Sequence, residues 1–122
     1  MKDNIIKTKS FQFAIRTVNL YKFLAENKKE FVLSKQLLRS GTSIGANIRE
    51  GINAESKADF IHKLAIAQKE CDETIYWLEL LKATDYLFEK EYESINSDAI
   101  EIMKLLTSIL KTSKKEKSEL MN

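Results

Sequence analysis

Residues 56–83 read Ser-Lys-Ala-Asp-Phe-Ile-His-Lys-Leu-Ala-Ile-Ala-Gln-Lys-Glu-Cys-Asp-Glu-Thr-Ile-Tyr-Trp-Leu-Glu-Leu-Leu-Lys-Ala, and their spacing decides the fold. Phe60, Leu64, Ala67, Cys71, Ile75, Leu78 and Leu81 recur at three- and four-residue steps, which puts them on one face of a helix. Ser56-Lys57-Ala58-Asp59 starts it as a capping box with Asp in place of Glu. A second line, Ile66, Tyr76, Trp77 and Leu80, runs beside the main stripe.

The same period appears on both sides of this segment. Upstream, Leu37, Gly41, Ile44, Ile48 and Ile52 form a stripe that begins at a candidate N-cap, Ser34. Gly41 and Gly45 each cost about 1 kcal/mol against Ala in a helix, so their presence predicts close approach of another backbone; Gly51 reads as a C-cap or a bend. Downstream, from residue 89 to 112, Ile95, Ala99, Ile102, Leu106 and Ile109 form a single stripe, and Glu101, Lys104, Ser108 and Lys111 on the other face predict an outer helix. The first helix, from residue 6 or 10 to 26, is apolar on two sides. Phe11, Ile15 and Val18 share one face, extended by Ala14, Tyr21 and Ala25, and Phe13, Leu20 and Leu24 lie nearly opposite. Such a helix is either central in its fold or covered by another subunit. The links 27–33, 53–55 and 84–88 are short, which makes neighbouring helices antiparallel. The expectation is an all-α, up-down-up-down antiparallel four-helix bundle, one domain over residues 1–122, with the tail 113–122 disordered for want of apolar spacing.

Composition agrees and narrows the function. The chain has no Pro and three Gly among 122 residues, too few turn residues for a β-sandwich. Its single Cys and single His exclude an intrachain disulfide and a Cys-based zinc site. A net charge of +2 is too small to establish nucleic-acid binding by itself. The absence of a long apolar run predicts a cytoplasmic protein with no membrane contact.

Few residues promise chemistry. His62 has no assignable metal partners. Cys71 lies on the apolar stripe and reads as a small core residue. Glu70, Asp72 and Glu73 cluster, but no Glu-x-x-His, the di-iron bundle pattern, occurs. Arg39, Ser43, Asn47 and Glu50 share one side of the second helix, either as a polar layer that fixes register or as a ligand or partner site. Lys and Arg outnumber Asp and Glu in the first 40 residues, which gives the molecule a basic end that a symmetric oligomer would multiply.

One run is also familiar. Gln36-Leu37-Leu38-Arg39-Ser40-Gly41-Thr42-Ser43-Ile44-Gly45-Ala46-Asn47-Ile48-Arg49-Glu50-Gly51 resembles the signature of the 23S rRNA intervening-sequence protein family, also labelled four helix bundle or ribosomal-protein-like. The stretch from Asp59 to Leu78 is similar to the family too, although many members carry Ser near Glu70 and Ala near Cys71. The resemblance spans about Phe11 to Leu110. It implies an up-and-down bundle, a homopentamer and no enzymatic activity. It also implies kinship with retroelement accessory proteins that pair with a reverse transcriptase and contact nucleic acid.

The expected function is therefore a non-enzymatic, oligomeric, nucleic-acid-associated adaptor without cofactor, using Arg16, Lys22, Lys28, Lys29, Lys35 and Arg39 on phosphates. Phe13, Leu20 and Leu24, with Ile66, Trp77 and Leu80, are the expected subunit interface, the alternative being that both sets are core. A competing reading is a protein–protein scaffold that contacts its partner around Trp77 and binds no nucleic acid. An enzyme built on Asn47, Glu50, His62 and Glu73 is a third.

Overall fold

Four helices account for nearly the whole chain in the computed structural model, which describes residues 2–121. They are α1 (Lys2–Lys28), α2 (Leu33–Ile52), α3 (Lys57–Ala83) and α4 (Glu89–Met121). Met1 and Asn122, the ends of the expected domain, lie outside the described residues. The links are so short that each helix must turn back along its predecessor. α1 packs on α2, α2 on α3, α3 on α4, and α4 closes the ring against α1, the least extensive of the four seams. This is the expected up-down-up-down bundle.

Local chemistry sets the helix ends. Ser56 Oγ accepts the Asp59 N–H at 3.1 Å and starts α3 as expected. α3 stops in a Schellman arrangement: Asp85 takes φ 68°, the Tyr86 N–H returns to the Leu81 carbonyl at 2.9 Å, and the Asp85 N–H returns to Lys82 at 3.1 Å. Asp tolerates this left-handed position better than most residues.

The start of α2 differs from expectation. Ser34 is not the N-cap; it lies buried inside the first turn, and its hydroxyl donates to the Glu30 carbonyl at 2.7 Å. The cap is the Glu30 carboxylate. It accepts the N–H groups of Val32 and Leu33 at 3.1 Å and of Ser34 at 2.7 Å, three donors a helix start leaves unpaired. Burial works to raise the Glu30 pKa, but these bonds and the Ser34 side chain outweigh it and hold the carboxyl below the usual range. A depressed carboxyl contributes stability above its unfolded pKa and loses it as pH falls through the folded value. Glu30→Ala should thus lower stability by about 1–2 kcal/mol at neutral pH, and acid titration should show the difference from wild type shrinking below the ordinary carboxylate range.

The core confirms three stripes and reverses one. Leu37, Ile44 and Ile48 of α2, Leu64, Ala67, Cys71, Leu78 and Leu81 of α3, and the α4 stripe are all buried. In α1 the buried residues are Ile6, Phe13 and Leu24, with Leu20 packed against them. Phe11 and Ile15, first in the reading of this helix, are about half exposed at 53% and 48%. Phe13 and Leu24 therefore belong to the core of one chain, which removes them from the expected subunit interface, while Leu20 is only partly buried.

The glycines explain how α1 and α3 come so close to α2. A Cβ on Gly45 would lie 3.3 Å from the Ser10 backbone carbonyl oxygen, the expected close approach. Gly51 is neither cap nor bend: α2 continues through it to Ile52 and ends at Asn53, and Gly51 lies against Leu64 of α3.

The tail also departs from expectation. Residues 113–121 continue α4 as helix. Ser113 is buried, Lys57 Nζ pairs with Glu116 at 3.4 Å, and no Pro or Gly intervenes to stop the helix.

Candidate binding surfaces

The six expected phosphate-binding cations divide into two groups. Arg16 is engaged across the α1–α4 seam, with Nη1 2.7 Å from Asp98 and Nη2 3.1 Å from Ser94 Oγ. Arg39 is engaged across the α2–α3 seam by Glu73 and, at 3.0 Å, by Glu70. Both guanidinium groups are held by carboxylates of their own chain. Lys22, Lys28, Lys29 and Lys35 form no ion pair among the described residues. They lie on the last turns of α1, the 29–32 link and the first turns of α2, so they share one end of the bundle. Lys22, Lys29 and Lys35 are exposed. Lys28 Nζ instead sits 5.9 Å from the ring centre of Phe23 and 5.4 Å from that of Phe88. Of the neighbouring acids, Glu30 is turned inward on α2 and Glu89 pairs with Lys82 at 2.8 Å; Glu26, Asp85, Glu91 and Glu93 stay exposed.

The side of α2 carrying Arg39, Ser43, Asn47 and Glu50 lies along the α2–α3 seam. Ser43 and Asn47 donate to carbonyls one turn back, of Arg39 and Ser43, while Arg39 and Glu50 reach across to α3, Glu50 meeting Lys63 Nζ at 3.1 Å. Trp77 Nε1 donates to Glu73 at 3.0 Å. That bond first, and then Arg39, hold the Glu73 carboxyl below its usual range against the opposing effect of burial. The Glu73 bond chiefly keeps Arg39 more firmly protonated. Arg39 and Glu50 thus tie α2 to α3 at a solvent-facing seam, while Ser43 and Asn47 bond within α2. Ile66, Trp77 and Leu80 are only partly exposed on α3.

The lone His and Cys lie apart, one at the surface of α3 and one in the core. His62 is exposed on α3. Cys71 donates to the Ala99 carbonyl at 3.3 Å inside the core, and burial, with Asp72 adding to it, pushes its thiol up to about 12, which leaves almost no thiolate at neutral pH. Among the described residues no three His, Cys, Asp or Glu groups converge as a metal site.

The sequence reading missed the outer face of α1 and α2. Phe11, Ala14, Thr42, Gly45, Ala46 and Arg49 line an open groove of about 420 Å³ there, with the Arg49 guanidinium 5.6 Å from the Phe11 ring centre. It also missed the phenylalanines at the lysine-rich end. Phe31 and Phe88 stand in links, where helical spacing says nothing, and Phe23 belongs to neither stripe of α1.

With this geometry in place, comparison with known proteins settles the lineage. The model for the 23S rRNA-intervening sequence protein matches residues 2–108. The chain belongs to that family. A solved member of the S23 ribosomal protein family, a protein with unknown function from Bacteroides thetaiotaomicron, is 66% identical. It superposes with a TM-score of 0.90, and the match covers 91% of this chain and 99% of that one. No curated protein matches. The intervening-sequence signature read at residues 36–51 falls on α2. Its Arg39 and Glu50 make the seam contacts above, its Asn47 bonds back to Ser43 within α2, and its Gly51 lies against α3. Among the described residues, no helix is long and apolar enough to cross a membrane.

Proposed function

We propose that the chain is a non-enzymatic binding protein that self-associates and engages nucleic acid through phosphate contacts at the lysine-rich end of its bundle. The carrying observation is that Lys22, Lys28, Lys29 and Lys35 gather at one end without ion-pair partners among the described residues, whereas Arg16 and Arg39 are already paired with carboxylates. Phosphate contacts need no sequence motif and weaken steeply with salt. Four cations per chain make a weak site, and a symmetric assembly repeats them into a polyvalent one. Support for assembly comes from the outer face of α1, where Phe11 and Ile15 leave apolar surface in water. The family resemblance makes five copies the expected number.

The test is a titration of labelled RNA and of a DNA duplex between about 50 and 200 mM salt, with the mass of the assembly measured in the same buffer. Affinity should fall steeply with salt. Lys28→Glu together with Lys29→Glu should weaken binding about tenfold or more and flatten the salt slope by roughly one per lysine lost. No binding at low salt would sink the phosphate reading. Ile15→Glu should reduce the mass towards a single chain while the helical content is kept. An unchanged mass would clear the outer face of α1 of any role in assembly.

A further inference from the structure

We infer that the lysine-rich end takes single-stranded nucleic acid in preference to duplex, with bases stacking on its exposed phenylalanine rings. The inference rests on the phosphate-contact reading and names the form of nucleic acid that fits the same surface. Phe23, Phe31 and Phe88 are 44%, 49% and 69% exposed. Phe23 lies near the end of α1, Phe31 in the link that follows Lys28 and Lys29, and Phe88 immediately before α4. One ammonium, that of Lys28, lies within 6 Å of two of these rings, which come from different elements.

Rings and cations are therefore interspersed at this end, with the Lys28 ammonium shared by the Phe23 and Phe88 rings. An unpaired strand offers a match for both, since each base has a π-face for a ring and each nucleotide a phosphate for a lysine. A duplex cannot use the rings, because its bases are already stacked on one another and only groove edges and phosphates face outward. A lipid surface fits less well. It is a plane, so it would press Glu26, Glu91 and Glu93, all exposed near this end, against the headgroups along with the lysines. A strand can follow the lysines and phenylalanines alone.

The experiment titrates the full chain with labelled oligothymidylate, with a mixed-sequence duplex of equal length, and with phosphatidylserine vesicles, at matched salt. The single strand should bind on the order of tenfold more tightly than the duplex. Phe88→Ala, at an exposed position, should weaken single-strand binding on the order of tenfold. Its salt slope and its duplex affinity should stay unchanged, and Phe88→Tyr should retain binding. Phe23→Ala should act in the same direction. Equal, steeply salt-dependent binding of both forms, indifferent to both substitutions, would overturn stacking and leave the phosphate reading standing. Binding of neither form would overturn both. Vesicle binding that depends on Phe88, with no oligonucleotide bound, would overturn the inference in favour of a lipid surface.

Discussion

Phe13→Ala is expected to cost about 3–5 kcal/mol of stability. Phe13 is 1% exposed within a single chain and belongs to the cluster that all four helices build. Removing its ring takes away most of the side chain's transfer free energy and leaves a void that the two neighbouring helices can only partly fill. Phe11→Ala, two residues away, is the control. Its ring is half in water, so the same deletion should cost well under half as much unless the ring is buried against another copy. The pair is measured by urea unfolding at one fixed protomer concentration, because assembly contributes to apparent stability by mass action. If Phe13→Ala left stability intact and lowered the mass, the helix would be turned the other way, with Phe13, Leu20 and Leu24 as a subunit contact after all.

Gly41→Ala should destabilise by about 1–3 kcal/mol, although helix propensity alone would make it a gain of about 1 kcal/mol. Packing opposes propensity here. An added Cβ would stand 2.6 Å from Thr17 Cγ2, 2.8 Å from Oγ1 and 3.2 Å from Cβ. The obstacle is thus the root of a short branched side chain, which has few rotamers to move into. Thr17 is fully buried, and its hydroxyl donates to the Phe13 carbonyl at 2.9 Å, which pins it further. Thr17→Ala in the same chain removes the obstacle, so the double variant should recover most of the loss. The two changes should be coupled by about 1–3 kcal/mol in a double-mutant cycle. Additive effects, or a Gly41→Ala variant more stable than wild type, would mean that α1 and α2 are not this close.

These two residues also mark where reading the sequence succeeded and where it stopped. Gly41 and Gly45 announced a close helix contact, because a residue so poor for helices is kept where a larger one cannot fit. The stripes of α2 and α4 were legible for a related reason: each has one apolar face, and one face can be buried only one way; in α3 the main stripe is buried, and Ile66, Trp77 and Leu80 beside it stay partly exposed. In α1 both faces are apolar, so periodicity shows two candidates and cannot choose between them. The choice falls to the partner. Small residues on α2 accept Ser10 and Thr17, and that turns Phe13 and Leu24 inward and Phe11 outward.

The binding surface divides in the same manner. The excess of lysine and arginine early in the chain pointed to a basic end, and four of the six cations selected stand at one end of the bundle without ion pairs among the described residues. Arg16 and Arg39 looked equivalent to them along the chain. Their carboxylate partners, Asp98, Glu70 and Glu73, are 31 to 82 residues away, and only packing brings these within reach. The Glu30 cap escaped notice because an N-cap is sought among Ser, Thr, Asp and Asn next to the helix, and a longer side chain reaching in from the link leaves no such mark.

Local and one-dimensional information, namely period, link length, the scarcity of turn residues and the signature on α2, was enough to determine that this protein is an antiparallel four-helix bundle of the intervening-sequence family. The tertiary structure alone decided which face of α1 is core, which of the six cations carboxylates hold, and that Phe23 and Phe88 flank Lys28. Each of those facts depends on contacts between elements far apart along the chain, and a helical repeat records only that a face is apolar or charged, not what meets it.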